Sequence, residues 1–325
     1  MPPAPRVDAL QGESMPALRR HALSLLLLAA ATSGSLAQDK GTLEPHALPP
    51  LAHPDDPKTP ARELFGRKET PTSDHARVVG FYASGCLAGA EALPINGPAW
   101  QVMRLSRNRN WGHPKLIGFL EKLATEVHEA GTWNGLLVGD MSQPRGGPMM
   151  TGHASHQVGL DADIWLTPMP DHEFTRAERE ETSATMAVAE DRKDIDPQVW
   201  TPGHMAVIKA AALDPQVERI FVNAAIKKAL CRDTKGDHDR SWLTKVRPYW
   251  GHDYHFHVRL YCPSDSPECK GQPAPPAGDG CGKDLDWWFS DAVLHPKPSP
   301  QPETPRPPKT MASLPAACRA VLNAP

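Results

Sequence analysis

The sequence predicts an α+β fold in which a small antiparallel sheet is flanked by helices and by long, disulfide-stapled loops. Three observations predict this class. Residues 160–165 and 254–260 alternate apolar and polar side chains, which is typical of strands. Residues 113–131 repeat apolar side chains at helical spacing. Six cysteines, an even number, can tie the loops to the rest of the chain.

The first 37 residues have the composition of a secretory signal peptide. Two arginines precede the apolar run 22–31, and a Ser-Leu-Ala exit sequence ends at Ala37. The run is shorter than the ~20 apolar residues that span a bilayer, so cleavage after Ala37 is favoured over a membrane anchor. Met15 stands just before this pattern, and we hypothesise that translation starts there. Export favours disulfides over zinc ligation for the cysteines.

Three parts are expected in the chain after cleavage. Residues 38–83 are rich in proline and charge without a period, which predicts an extended N-terminal arm. Residues 84–294 form the main domain, and residues 295–325 a proline-rich tail that docks through Cys318. The net charge of −3 and the lack of basic runs argue against nucleic-acid binding.

Local patterns predict most of the helices and strands. Pro114 and Gly131 delimit the clearest helix. Thr175 and Glu178 form a capping box that predicts a helix over 174–190. The other predicted elements are a loop over 85–100, strands over 134–140 and 217–222, helices from Thr201 and over 223–231, and a short helix over 312–322.

The strand at 160–165 carries two aspartates that follow two histidines. Period-two alternation places Asp161 and Asp163 on one face and the aliphatic residues on the other. Two carboxylates on a half-buried face are costly unless a cation compensates them. His153 and His156 lie just upstream, so a metal held by nitrogen and oxygen is indicated. His153 alone is as consistent with a loop residue as with a ligand.

The second strand carries the histidines that could complete such a site. His255 and His257 share one face of the segment 254–260. Catalytic zinc usually has three protein ligands and one open position. His156, an aspartate and one of these two histidines supply that set, and the other histidine is free to exchange protons. From the residues alone, Asp161 competes with Asp163 as the ligand.

The two segments together resemble a known family. Ser-His-Gln-x-Gly-Leu-Asp-x-Asp-Ile-Trp at 155–165 and Trp-Gly-His-Asp-Tyr-His-Phe-His-Val-Arg at 250–259 are similar to the penicillin-insensitive murein endopeptidases. That family belongs to the wider group of lysostaphin-type and D-alanyl-D-alanine metallopeptidases. The resemblance covers roughly residues 85–318 and makes 84–294 a metallopeptidase domain.

The resemblance implies roles for individual residues. The zinc ligands it implies are His156, Asp163 and His257, with His153 and Asp191 as further metal positions. It makes His255 catalytic and places His252 close by. Asp194 stands where the family has a histidine, which leaves a second metal site open. The resemblance also implies the disulfides Cys86–Cys318, Cys231–Cys281 and Cys262–Cys269.

The activity that the resemblance implies is zinc-dependent hydrolysis of D-alanyl–meso-diaminopimelate crosslinks in peptidoglycan, in the periplasm, by a protein without a membrane anchor after signal cleavage. No H-E-x-x-H helix is present, so a histidine such as His252 takes the place of the glutamate base of that class. Two alternatives stay open: a D,D-dipeptidase or carboxypeptidase acting on free wall peptides, and a non-catalytic wall-binding metal module.

Two further groups of residues are candidates for substrate contact. The charged side chains of Asp140, Arg145 and Arg259 are conceivable binders of a charged peptide, but solvated surface charge is the favoured interpretation. The indoles of Trp250, Trp287 and Trp288 could form a sugar-binding platform, but core or groove wall is favoured because aromatic side chains usually serve burial.

Overall fold

The structure is a computed structural model that describes residues 40–297 and 307–325, which belong to one compact unit. The predicted signal peptide, its predicted cleavage site and the hypothesised start at Met15 lie outside the described residues, as do residues 298–306 of the predicted tail. Among the described helices, none is long and apolar enough to cross a bilayer.

The described chain alternates short strands with helices of very different length. The strands are β1 Arg77–Phe81, β2 Ser84–Ala88, β3 Glu91–Ala92, β4 Asn96–Gly97, β5 Trp100–Val102, β6 Trp111–Gly112, β7 Leu136–Val138, β8 Asp161–Trp165, β9 Val217–Val222, β10 Val246–Pro248, β11 His255–Leu260 and β12 Cys269–Lys270. The α-helices are α1 Ala61–Phe65, α2 Pro114–Glu129, α3 Arg176–Glu181, α4 Pro202–Leu213, α5 Ala224–Asp233, α6 Lys283–Asp286, α7 Asp291–Leu294 and α8 Ala317–Asn323.

The largest sheet in the described ranges has seven strands in the order β10-β9-β11-β8-β7-β5-β4. Its centre, from β9 to β7, is antiparallel, as predicted. However, β10 runs parallel to β9 and β5 runs parallel to β7, so the prediction of a small antiparallel sheet is wrong in size and in type. The added strands have two or three residues each, which is too short for alternation to reveal them.

The register between β8 and β11 brings the two chemical segments together. Asp163 lies directly opposite His257, and Asp161 lies directly opposite Arg259. Directly opposed residues on one face have Cβ atoms about 5 Å apart. Residues separated by almost a hundred positions in the chain therefore become neighbours through one strand pairing.

The other face of the same two strands is apolar and forms the centre of the core. Ile164 and Phe256 are fully buried there and belong to one cluster with residues of α2, α4 and α5. The stripe predicted for α2 is confirmed, since its apolar residues Leu116, Phe119 and Leu123 are buried. The sheet thus separates a polar face from an apolar face that the helices cover.

The helix predicted over 174–190 is much shorter in the structure, although its capping box is present. The helix ends at Glu181, and the next residues, Thr-Ser-Ala-Thr, include weak helix formers. The guanidinium of Arg104 also donates hydrogen bonds to the carbonyls of Arg179 and Thr182, which satisfies groups that another helical turn would have used.

Two predictions of irregular structure are corrected. The arm expected over 38–83 contains α1 and β1, and Val79 and Tyr82 are fully buried. The loop expected over 85–100 begins with β2, which pairs along its length with β1. The glycines of this segment suggested a loop. The β1–β2 hairpin instead requires glycine at position 85, because a Cβ there would lie only 2.2 Å from the Val79 carbonyl oxygen.

All six cysteines lie in the described ranges and form the three pairs that the resemblance implies, Cys86–Cys318, Cys231–Cys281 and Cys262–Cys269. The first pair joins β2 to α8, and a second apolar cluster surrounds it. Arg145 donates three hydrogen bonds to carbonyls of the last residues, Val321, Leu322 and Ala324. The C-terminal segment 307–325 is therefore packed onto the β1–β2 hairpin.

Candidate metal centre

The segment before β8 turns sharply so that His156 points under the sheet. His156 has φ +64, in the left-handed region that non-glycine residues seldom adopt. Its backbone N–H donates to Asp161 Oδ2 at 3.0 Å, and its ring Nδ1 lies 2.8 Å from the Met141 carbonyl oxygen. Contacts at both ends of the residue hold this costly conformation, which is a common feature of functional sites.

Three ligand-type atoms converge on one point of the polar face. His156 Nε2 lies 3.1 Å from His257 Nδ1 and 3.4 Å from Asp163 Oδ1, and the last two atoms are 3.3 Å apart. Four ligands placed ~2.1 Å from a tetrahedral zinc ion are separated from one another by about 3.4 Å. The three edges of this triangle therefore have the length that a tetrahedral site requires.

Hydrogen bonds on the far side of each imidazole turn the other ring nitrogen toward the centre. A carbonyl oxygen only accepts, so His156 Nδ1 donates to Met141 and, in the neutral ring, Nε2 carries the lone pair. His257 Nε2 donates to Asp161 Oδ1 at 2.8 Å, and its Nδ1 lies within hydrogen-bond distance of His156 Nε2. Asp163 Oδ1 is buried and has no hydrogen-bond partner in the described part of the chain.

Two ring nitrogens and a carboxylate oxygen that face one another at these distances are stabilised by a cation between them, either a proton or a metal ion. Burial alone would lower the pKa of His257, but the carboxylates of Asp161 and Asp163 raise it above its ordinary value. Burial would raise the pKa of Asp163, but His255 and His156 hold it well below its usual range. These donors, two nitrogens and one oxygen, are of the types that zinc prefers.

Asp161 supports the other residues of the triangle. Its Oδ1 accepts from His257 Nε2 and, at 2.7 Å, from Arg259 Nε, while its Oδ2 accepts from the His156 backbone. Burial would raise the pKa of Asp161, but Arg259 and His257 hold that pKa far below its usual range, so the carboxyl stays ionised. N–H groups donate to both oxygens of Asp161, whereas Asp163 Oδ1 has no hydrogen-bond partner among the described residues.

His153 reaches the same centre from the more open side. Its Nδ1 lies 3.6 Å from Asp163 Oδ2, and ligand atoms of His153, His156 and Asp163 all lie within 4.8 Å of one another. Its Nε2 lies 3.0 Å from Asp140 Oδ2. That carboxylate also binds the guanidinium groups of Arg107 and Arg109, so Asp140 holds the ring in place.

His255 and His252 lie beside the triangle. His255 Nε2 is 3.5 Å from Asp163 Oδ1, and the centroids of the two histidine rings are 4.8 Å apart. Burial lowers the pKa of His255 to about 4, and burial together with the neighbouring His255 and His257 lowers that of His252 to about 3. His252 has φ +57, and its Nδ1 donates to the Trp250 carbonyl at 2.8 Å.

Asp191, which was considered for metal binding, and Asp194, which stands where the family has a histidine, both lie elsewhere. Asp191 is on an exposed turn, where its Oδ1 accepts from the Lys193 backbone. It does not belong to the group of candidate ligands among the described residues. The carboxylate of Asp194 forms ion pairs with Lys228 and Arg232 at 3.1 and 2.9 Å. The structure thus brings neither residue to the centre.

The expectation that Asp140, Arg145 and Arg259 are solvated surface charges is wrong, since all three are buried. Asp140 is neutralised by two arginines, and Arg145 binds the C-terminal carbonyls described above. The guanidinium of Arg259 lies 4.1 Å from the ring centroid of Tyr82. Their partners come from distant segments, so no local pattern shows that these charges are compensated.

Sequence reasoning missed the contributions of Asp140, Met141, Arg107 and Arg109 to this centre. A weak signal existed, because Asp140 follows directly after the apolar strand β7 and two arginines alternate with asparagines at 107–110. Met141 contributes through its backbone carbonyl oxygen, which the identity of its side chain does not indicate.

A comparison with protein families identifies the family of this chain. A family model described as penicillin-insensitive murein endopeptidase matches residues 78–323. The chain belongs to the penicillin-insensitive murein endopeptidase family. The family match extends from β1 to α8, so it includes both strands of the metal centre and all six cysteines.

Curated relatives bear the same name, penicillin-insensitive murein endopeptidase. One from Klebsiella pneumoniae is 45% identical over 253 residues, which is 78% of this chain and 88% of that protein. One from Haemophilus influenzae is 45% identical over 260 residues, 80% of this chain and 87% of that protein. One from Escherichia coli is 44% identical over 254 residues, with 78% and 88% covered.

Proposed function

We propose that this protein is a zinc-dependent murein endopeptidase that hydrolyses D-alanyl–meso-diaminopimelate crosslinks. Family membership and the names of its relatives support the murein endopeptidase activity. The observation that carries the zinc dependence is the triangle of ligand atoms from His156, Asp163 and His257, with edges of 3.1 to 3.4 Å.

The residues that would hold zinc are His156, Asp163 and His257, with His153 adjacent to them on the open side. When bound there, zinc supplies Lewis-acid chemistry, polarising the scissile carbonyl and making water more acidic. Asp161 orients His257 and the His156 backbone, so the ligand atoms are aligned before a cation arrives. Asp140 orients His153 in the same manner.

His255 and His252 are the groups that we assign to proton transfer. Both are neutral at pH 7, because burial lowers the pKa of each ring. The Nδ1–H of His252 is held by the Trp250 carbonyl, which leaves Nε2 free to accept a proton. His255 Nε2 lies 3.5 Å from Asp163 Oδ1, beside the proposed zinc site, and from there the neutral ring is assigned to stabilise a developing oxyanion by hydrogen bonding or to pass on a proton.

We place the protein in the periplasm. Three disulfides in the described residues suit an oxidising compartment, and the proposed substrate lies outside the cytoplasm. The signal-peptide pattern of residues 1–37 supplies a route of export.

Digestion of purified sacculi tests the proposed substrate. The zinc-loaded protein should convert D,D-crosslinked muropeptide dimers to monomers, whereas the His255→Ala variant should leave them intact while still binding zinc. If the wild type removes only terminal residues from free wall peptides, it is a carboxypeptidase or dipeptidase. If it binds sacculi and cleaves nothing, it is a wall-binding module.

A further inference from the structure

Three tryptophans, two of them exposed and Trp288 half-buried, form a surface cluster that includes the residue two positions before His252. Trp250 and Trp287 are 53% and 55% exposed, whereas Trp133 and Trp242 are 8% and 2% exposed. The ring centroid of Trp288 lies 5.0 Å from that of Trp250 and 5.2 Å from that of Trp287. Of the two positions expected, core or groove wall, the core is therefore wrong for Trp250 and Trp287. Contiguous exposed aromatic surface marks an interaction site.

The cluster is held outward by an anchored segment. Trp287 and Trp288 form a 3₁₀ turn between α6 and α7, and those short helices bury Leu285, Val293 and Leu294. The disulfide from Cys281 to α5 fixes the start of the segment. The smaller apolar residues face the interior while the indoles face solvent, so little conformational entropy is lost when a ligand packs on them.

The cluster is continuous with the proposed active site. The backbone carbonyl of Trp250 accepts the Nδ1–H of His252 at 2.8 Å, so one loop carries both the indole and the proposed base. The ring of Tyr249 packs edge-on to His252, with centroids 5.6 Å apart. A polymer that lies across the cluster would thus have its side groups within reach of the metal centre.

The charges around the cluster restrict the kind of partner. Asp284, Asp286 and Asp291 are exposed on α6 and α7, and Lys283 is the exposed basic residue of those two helices. Lys228 lies over the ring of Phe289, but it is paired with Asp194, so the exposed charge of α6 and α7 is mainly acidic and opposes nucleic acid and anionic lipid. Carboxylates that accept hydrogen bonds from hydroxyl groups, next to flat indole faces that attract polarised C–H groups, suit a neutral sugar ring.

We propose that the tryptophan cluster binds a pyranose ring of the glycan strand to which the crosslinked peptides are attached. This inference rests on the proposed function, because it takes murein as the substrate. The glycan contact holds the polymer on the surface while a crosslink occupies the metal centre. It therefore adds affinity for intact murein and adds nothing for peptides that lack sugar.

The test compares two substrates on matched variants. Trp287→Ala should raise the KM for sacculi about fivefold to tenfold, which corresponds to the free energy of one aromatic contact. The same variant should leave kcat/KM unchanged on crosslinked peptides freed from glycan. Trp287→Phe keeps an aromatic face and should recover most of the loss. Tyr261→Ala is the control, because Tyr261 is 50% exposed and follows the opposite end of β11.

Equal losses on both substrates would mean that the cluster contacts peptide, and no loss on either would mean that it contacts no substrate; both results overturn the proposal. Binding to glycan strands stripped of peptide separates this inference from the proposed function. If the wild type cleaves neither substrate yet binds stripped glycan through Trp287, the glycan site stands and the endopeptidase assignment fails. If stripped glycan binds the wild type and Trp287→Ala equally, the glycan site is refuted.

Discussion

The substitution Asp161→Asn tests how the centre is organised, because it keeps the shape of the side chain and removes its charge. In the wild type, three N–H groups donate to this carboxylate, from His257 and Arg259 to Oδ1 and from the His156 backbone to Oδ2. An asparagine has one acceptor oxygen and one NH₂ group. Whichever way the amide is turned, an NH₂ group faces at least one N–H donor.

The magnitude follows from those contacts. A buried donor left unpaired costs ~1–3 kcal/mol, and removing one partner of a buried ion pair costs ~3–5 kcal/mol, here by leaving Arg259 without its carboxylate. We therefore expect the metal-free variant to lose about 3 kcal/mol or more of unfolding free energy. Loss of a carboxylate behind a metal-binding histidine lowers metal affinity by about 10-fold to 100-fold.

Two measurements check this expectation. Urea unfolding in chelator gives the stability, and competition with a chromophoric chelator gives the zinc affinity well below the melting temperature. Asp171→Asn is the control, because that side chain is 92% exposed and its loss should change stability by less than about 0.5 kcal/mol. A folded Asp161→Asn variant that binds zinc as tightly as the wild type would refute this account of the centre.

Three further predictions concern other parts of the molecule. His255→Ala should lower kcat on crosslinked murein at least about 100-fold with zinc content unchanged, as measured by muropeptide chromatography and metal analysis. In the metal-free protein, the lowered pKa of His255, about 4 against 6.5 in the unfolded chain, should make stability fall as pH drops from 6.5 to 4, because the unfolded state binds the extra proton. Urea unfolding at several pH values should show a loss on the order of 3 kcal/mol from this group. Cys318→Ser should lower the unfolding free energy by about 2–4 kcal/mol, because it opens the link between β2 and α8.

The first of these predictions has a matched control, and each of the three has a contrary result. The exposed His238→Ala should keep full activity, and loss of zinc from His255→Ala would make that residue a ligand instead. Stability that is flat between pH 6.5 and 4 would contradict a buried neutral His255. If Cys318→Ser unfolds at the wild-type urea midpoint, the C-terminal segment contributes no stability through its disulfide.

The candidate metal centre was accessible to sequence reasoning because Asp163 and His257 lie on strands with a clear period, although His156 lies in the segment before β8. Alternation along 160–165 and 254–260 indicates which side chains share a face. Alternation does not predict the register in which the two strands pair. The pairing of Asp163 with His257 depends on how β8 and β11 align, and that alignment depends on the burial of the opposite, apolar face.

The errors have a different physical origin. Asp140 was assigned to the surface because its compensating arginines lie some thirty residues earlier, and burial of an ion pair depends on both partners. The β1–β2 hairpin was missed because its glycines, which allow two backbones to approach closely, also occur in loops. A core position was offered beside a groove wall for Trp250 and Trp287 because large aromatic residues are usually buried, but that tendency holds only on average.

The most direct test of zinc dependence is muropeptide analysis of sacculi treated with the protein, with chelator, and with chelator followed by excess zinc. We expect the protein without chelator to convert crosslinked dimers to monomers. The dimers should persist when chelator is present, and cleavage should return when excess zinc is added. Asp163→Asn should fail to recover with zinc. Dimers cleaved equally well in chelator, or untouched by the zinc-loaded wild type, would contradict the proposal.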